Sequence, residues 1–240
     1  MKHKVFFVAV LVLGMVVCHS ASNQAGQVKF DQAEIFFEYN STDLDLGVHI
    51  FFDAEGWKDV VVSGPDGTIF HVNNDGSLRE IGSTEVFTES EEPPLDEGDL
   101  EGSIAAFLAL FPEGEYQFSG TTVEGDSLMG KATLTHDLPA PVELDLSMYP
   151  TISWSDNSAG GDPEIVGYQV VNELVVKEGG EERVFEFSVD LPADVTEVTV
   201  PDEFVELADR FSKGQILEYK VEVIAIEESG NKTIVEESLI

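Results

Sequence analysis

The chain has 240 residues, with 47 Asp and Glu against 12 Lys and Arg, a formal charge of −35, and a single cysteine. An acidic excess of that size repels nucleic acid and anionic lipid, which excludes functions built on binding either. One cysteine also excludes an internal disulfide framework and any zinc site made of several thiolates.

The first residues read as a secretory signal peptide over 1–21. Lys2 and Lys4 form a basic start, and Val5 to Val17 is an apolar run of about 13 residues, too short for a membrane span. Small residues follow at Cys18, Ser20, Ala21 and Ser22. The pattern predicts export to an extracellular or periplasmic space. Cleavage removes Cys18 with Lys2 and Lys4, so the mature chain has no cysteine and is more acidic still. No later run approaches ~18 continuous apolar residues, so no transmembrane segment is expected in the mature chain. The remaining length allows two ordinary domains of roughly 100–150 residues.

Strand signals begin at Ala33. Ala33–Tyr39, Gly47–Asp53 and Trp57–Ser63 are short runs of strand composition, and Gly64-Pro-Asp-Gly67 is a turn leading to a hairpin partner at Thr68–Val72. Asn73–Gly76 turns the chain again. Glu89–Glu101 is acidic and reads as a solvated loop. Ser103 is placed to cap a short helix over Ile104–Phe111, which Pro112 stops. Gly114–Phe118 and Leu128–Thr135 then form a hairpin around Gly125-Asp126.

His136-Asp-Leu-Pro-Ala-Pro141 reads as a linker between a domain at 30–136 and one at 139–240. Strands are expected at Val142–Leu146, Thr151–Trp154, Ile165–Val171, Asn172–Lys177, Arg183–Val189 and Thr196–Val200. A helical run at Phe204–Phe211 and two strands, around Tyr219 and Lys232, complete the chain. The order of short helix, Gly, Tyr-bearing strand, Gly turn and strand therefore occurs twice. It predicts an all-β protein of two antiparallel sandwiches of similar topology in tandem.

In Leu217–Ile226, Tyr219, Val221, Val223 and Ala225 share one strand face, and Glu218, Lys220, Glu222, Ile224 and Ile226 share the other. A tyrosine opening such a strand resembles strand F of a fibronectin type III domain. Trp154 fits the strand-B tryptophan of that family, and Tyr168 its strand-C tyrosine. The resemblance covers 139–240. It implies a tyrosine corner, in which the Tyr219 hydroxyl bonds to upstream backbone. The first domain resembles an immunoglobulin-like sandwich of secreted bacterial proteins. Both resemblances imply a non-enzymatic module for adhesion or envelope association, with an extracellular protein or polysaccharide as partner.

Other chemistry is sparse. His49, His71 and His136 lack the spacing of a zinc triad and read as ordinary sheet and linker residues. No Gly-x-Ser-x-Gly elbow and no phosphate-binding glycine loop occurs, so no catalytic residue and no organic cofactor is expected. Asp53 and Glu55 beside Trp57 have a setting that suits sugar binding, although a solvated turn is the better reading of them. Asn40-Ser-Thr-Asp-Leu-Asp-Leu-Gly47 alternates oxygen ligands before a glycine, which makes Asp43 and Asp45 candidate calcium ligands. The spacing departs from an EF-hand, because Val48 and Ala54 stand where that loop needs its glycine and its glutamate. The alternative function is thus a calcium- or carbohydrate-binding accessory module. Asn40 and Asn231 lie in Asn-x-Thr/Ser sequons.

Overall fold

The computed structural model describes residues 26–158, 163–212 and 214–240. The expected signal peptide, with Cys18, lies outside the described residues. Among the described residues strand makes up 57% and helix 12%. The strands form one mixed sheet of eleven and a second sheet of three, so the all-β class holds.

The N-terminal half runs β1 (Gln27–Lys29), β2 (Gln32–Asn40), β3 (Asp45–Gly64), β4 (Gly67–Asn73), α1 (Gly76–Ile81), β5 (Ser83–Glu89), α2 (Leu100–Leu108), β6 (Gly114–Thr122) and β7 (Ser127–Leu134). Its organising element is β3. The expected strands at Gly47–Asp53 and Trp57–Ser63 are one strand of 20 residues. Asp53, Glu55 and Gly56 interrupt the apolar alternation, yet Ala54 and Trp57 carry burial across the gap. The first part of β3 pairs with β2 and β5, and the part from Trp57 onward pairs with β6 and β4. The register breaks between Asp53 and Trp57, where the partners change. One bent strand therefore belongs to both layers of this half. The layers meet around Phe52, whose ring lies 5.8 Å from Phe30 and 6.2 Å from Phe118 in edge-on contacts.

Two further expectations need correction here. Glu89–Glu101 is not a free solvated loop. Leu95 is buried, its N–H donates to the Leu44 carbonyl (2.7 Å), and the Ser90 N–H donates to that of Val48 (3.0 Å). One apolar side chain and these backbone bonds outweigh the acidic composition. The following helix begins earlier than expected, at Leu100. Its cap is the Asp99 carboxylate, which accepts from the Gly102 N–H, while the Ser103 hydroxyl donates to the Leu100 carbonyl.

The C-terminal half runs β8 (Glu143–Asp145), β9 (Thr151–Ser155), β10 (Ile165–Glu178), β11 (Glu181–Pro192), β12 (Glu197–Thr199), α3 (Asp202–Ala208), β13 (Ile216–Glu227) and β14 (Lys232–Ser238). The expected strands at Ile165–Val171 and Asn172–Lys177 are the single β10. The small sheet has the order β8-β9-β12, and this end of the large sheet has the order β11-β10-β13-β14. Their shared core holds Ile152 and Trp154 from β9, Tyr168 and Val170 from β10, and Val221, Val223 and Ala225 from β13. Trp154 and Tyr168 meet edge to face at 5.3 Å.

Tyr219 is buried as expected, but its hydroxyl does not reach upstream backbone. It pairs with the Tyr149 hydroxyl, which also lies 2.9 Å from Asn172 Oδ1, and the Asn172 amide donates to the Lys220 carbonyl (2.7 Å). Tyr149, in the turn before β9, fills the position that backbone was expected to take. The corner geometry occurs in the other half instead. Tyr116 of β6 is buried, and its hydroxyl donates to the Pro112 carbonyl four residues upstream (3.0 Å).

The halves are joined by more than a linker. β14 pairs in parallel with β2, through Lys232–Glu38, Thr233–Tyr39 and Ile234–Asn40, which makes the large sheet continuous. Asn231, 0% exposed, sits at the head of this seam. Its Oδ1 accepts from the Phe37 N–H (2.8 Å), and its Nδ2 donates to the carbonyls of Thr135 (3.1 Å) and Asp137 (3.0 Å) and to the Thr135 hydroxyl (3.0 Å). The Thr233 hydroxyl donates to the Pro139 carbonyl (2.7 Å). The segment 136–141, expected as a spacer, is thus strapped to β14. The same bonds take Asn231 out of reach as a glycosylation acceptor in the folded protein.

Candidate functional site

The outer face of the first layer carries the chemistry. On β3, Leu46, Val48, Ile50 and Phe52 face the core, so Gly47, His49 and Phe51 face outward by alternation. On β2, Ile35, Phe37 and Tyr39 face inward, which turns Phe36 and Glu38 outward. His49 should therefore be solvated. It is 3% exposed. Phe36, its cross-strand partner, stacks on the imidazole at 5.1 Å, and Phe87 of β5 lies at 5.5 Å on a tilted plane. Glu92 comes down over the ring from the loop between β5 and α2.

Glu38, His49 and Glu92 form a group whose ligand atoms all lie within 4.8 Å of one another. His49 Nε2 is 3.8 Å from Glu38 Oε1 and 3.7 Å from Glu92 Oε1. Both distances exceed a hydrogen bond. Both ring nitrogens are buried without a hydrogen-bond partner. Glu38 is anchored from the C-terminal half: Lys232 Nζ lies 3.5 Å from Glu38 Oε2 and 4.4 Å over the Phe36 ring. Gly47, the ladder partner of Glu38, provides the room for Glu92. A Cβ there would lie 2.7 Å from Glu92 Oε1 and 2.9 Å from its Cγ.

Burial lowers the His49 pKa to about 4; Lys232 pushes it the same way and Glu89 opposes. The ring is neutral near pH 7. Burial raises the Glu92 carboxyl to about 7, aided by the charges of Asp45, Glu89 and Glu38. The Asp45 carboxyl is raised too, by burial first and by Asp43, Glu236, Glu38 and Glu89 after it. The site thus concentrates negative charge beside a neutral imidazole.

A cavity of about 250 Å³ opens next to this group, where the halves meet. Glu38, Asp45 and Glu92 line it from one side, and Lys220, Glu222 and Glu236 from the other. Lys220 Nζ contacts Glu222 (2.9 Å) and Glu236 (3.1 Å). The two calcium candidates both border the cavity, though Asp43 is exposed at the turn and Asp45 is half-buried. Asn40, the first oxygen of that proposed loop, turns its Oδ1 to the N–H groups of Thr42 (2.9 Å) and Asp43 (3.1 Å). Ser41 and Thr42 bind the loop to β14: the Ser41 N–H donates to the Ile234 carbonyl (3.0 Å), and the Thr42 hydroxyl accepts from the Glu236 N–H (2.9 Å).

The other sequence candidates lie apart. Asp53 and Glu55 are inside β3 rather than in a turn, and Trp57 between the layers is 1% exposed, so it offers no platform for a sugar. His71 pairs with Asn73, and His136 Nε2 is 2.9 Å from the Phe111 carbonyl. Sequence reasoning missed the Glu38–His49–Glu92 group, because its members come from two strands and a loop at no motif spacing. The one local signal was a histidine on the outward face of a strand, flanked in register by Gly47 and Phe51.

Comparison with known proteins finds no family model that matches the chain and no curated protein that matches it. Among the described residues, no helix is long and apolar enough to cross a membrane.

Proposed function

We propose that the protein is an exported, non-enzymatic binding protein that acts through the surfaces of two tandem immunoglobulin-like sandwiches, the second of the fibronectin type III kind. Its partner is an extracellular protein or polysaccharide, met in adhesion or envelope association. The observation that supports this reading is the strand connectivity. In the C-terminal half, β8-β9-β12 and β11-β10-β13-β14 distribute seven strands over layers of three and four, as type III sandwiches do. In the N-terminal half the same order is traced by β2, the first part of β3 and β5 in one layer, and by β4, the rest of β3, β6 and β7 in the other. In both halves a short helix precedes the next-to-last strand. Such folds serve as spacers and binding modules, although the fold alone never names the ligand.

The accessory-module alternative divides. Burial of Trp57 leaves the carbohydrate version without its aromatic, while the calcium version keeps Asp43 and Asp45 on the cavity between the halves. The test of the main reading is expression with the leader in a bacterial host, fractionation, and mass spectrometry of the product. The expected product begins near residue 22, lies outside the cytoplasm, and binds isolated envelope material after purification. A full-length chain retained in the cytoplasm overturns the reading.

A further inference from the structure

From the geometry of Glu38, His49 and Glu92 we infer a binding site for a divalent first-row transition metal of the zinc class, lying where the halves meet. This goes beyond the surface-binding role and does not depend on it.

The argument starts from an imidazole with nothing to bind. A neutral histidine carries one N–H and one lone pair, and burying either without a partner costs free energy. His49 buries both, although two carboxylates stand next to Nε2. Separations of 3.7 and 3.8 Å are too long for hydrogen bonds. They are close to what ligands of one shared cation require: with metal–ligand bonds of about 2.0–2.1 Å, tetrahedral donors sit roughly 3.4 Å apart. Closing to that distance takes a few tenths of an ångström at both the Glu38 and the Glu92 contacts with Nε2, and the two carboxylates must draw together from a separation of at most 4.8 Å. One imidazole nitrogen and two carboxylates form a donor set for zinc or its neighbours. Calcium and magnesium take oxygen alone and leave the imidazole idle.

The surroundings fit the same purpose. Metal-bound histidines ordinarily donate their other ring N–H to an oxygen; His49 Nδ1 has no such acceptor, and its plane is held instead by the Phe36 and Phe87 rings. Lys232 fixes the outer oxygen of Glu38, leaving Oε1 toward His49. Gly47 supplies a recess that any other side chain would fill.

The test is calorimetric titration of the full mature chain with zinc chloride, in excess magnesium to occupy the general acidic surface. Titration with cobalt(II) beside it reads the ligand field in the visible spectrum. Three variants are compared: His49→Phe, which keeps an aromatic ring between Phe36 and Phe87; Glu92→Gln; and Gly47→Ala, which keeps every ligand but takes the space of Glu92. Circular dichroism establishes that each is folded, and Glu92→Gln, on an accessible loop, carries the test should His49→Phe not fold. The expected result is one equivalent of zinc in the wild type. Affinity should fall in each folded variant by at least the 10–100-fold that outer-shell losses cost, and the cobalt bands should be lost. Zinc binding retained in any folded variant, calcium binding as tight as zinc, or no stoichiometric binding in the wild type overturns the site.

Discussion

Asn231→Ala strikes the seam between the halves at its most connected residue. The substitution removes one acceptor, used by the Phe37 N–H, and two amide hydrogens shared among three oxygens of Thr135 and Asp137. Each net hydrogen bond contributes about 1 kcal/mol, and a buried N–H left without a partner costs about 1–3 kcal/mol. The expected loss is therefore about 3 kcal/mol, a large share of the 5–15 kcal/mol typical of a folded protein. Asn231→Asp should cost at least as much, because it preserves the Phe37 bond but sets a carboxylate against two carbonyls. Each half carries a single buried tryptophan, Trp57 in one core and Trp154 in the other. Urea unfolding of Trp57→Phe and Trp154→Phe backgrounds thus reports the two halves separately by fluorescence. With Asn231 present, both probes should give one shared midpoint; with Ala there, the midpoints should fall and separate. A loss below about 1 kcal/mol with coincident midpoints would show that the seam does not depend on this side chain.

Tyr219→Phe removes one hydroxyl and should cost about 1 kcal/mol; Tyr149→Phe should cost more, since its hydroxyl lies within bonding distance of Tyr219 and Asn172 alike. The double variant should lose less than the sum of the two, and strict additivity in a thermal or urea double-mutant cycle would refute the pairing. Gly64→Ala places a methyl group 2.3 Å from Tyr116 Cε1; overpacking of that kind costs about 1–3 kcal/mol, and an unchanged urea midpoint would count against the observed packing. Self-repulsion at −35 is screened by salt, so the melting temperature should rise between low salt and roughly 0.5 M sodium chloride. A flat or falling calorimetric curve would argue against self-repulsion limiting the stability of the fold.

Much of the strand pattern was legible from the residues. The inward face of Tyr219, Val221, Val223 and Ala225 and the Gly64–Gly67 turn follow from alternation and turn chemistry, which are local, while the core positions of Trp154 and Tyr168 came from the resemblance to type III domains. What failed was non-local. The unity of β3 depends on two layers closing over Ala54 and Trp57, and a window on Asp53–Gly56 sees two acids, a glycine and one small apolar residue. The strapping of Glu89–Glu101 depends on Leu44 and Val48, some 40–50 positions earlier. The Tyr219 hydroxyl found Tyr149, 70 residues away. His49 gave a local sign only of being misplaced, and its neighbours Glu38 and Glu92 could be recognised only after folding brought them together.

The parallel pairing of β14 with β2 also dictates an order of events during synthesis. Phe37 and Asn231 are 194 positions apart. For all that time the edge of β2 at Glu38, Tyr39 and Asn40 has no strand beside it, and the Phe37 N–H lacks its Asn231 partner. An unpaired strand edge is a template for pairing with other chains. The nascent protein must either stay unfolded until its last strand is made or fold its N-terminal half with that edge exposed. Loss of the last strand alone would leave the rest of the chain prone to aggregate, although β14 contributes only a small part of either core.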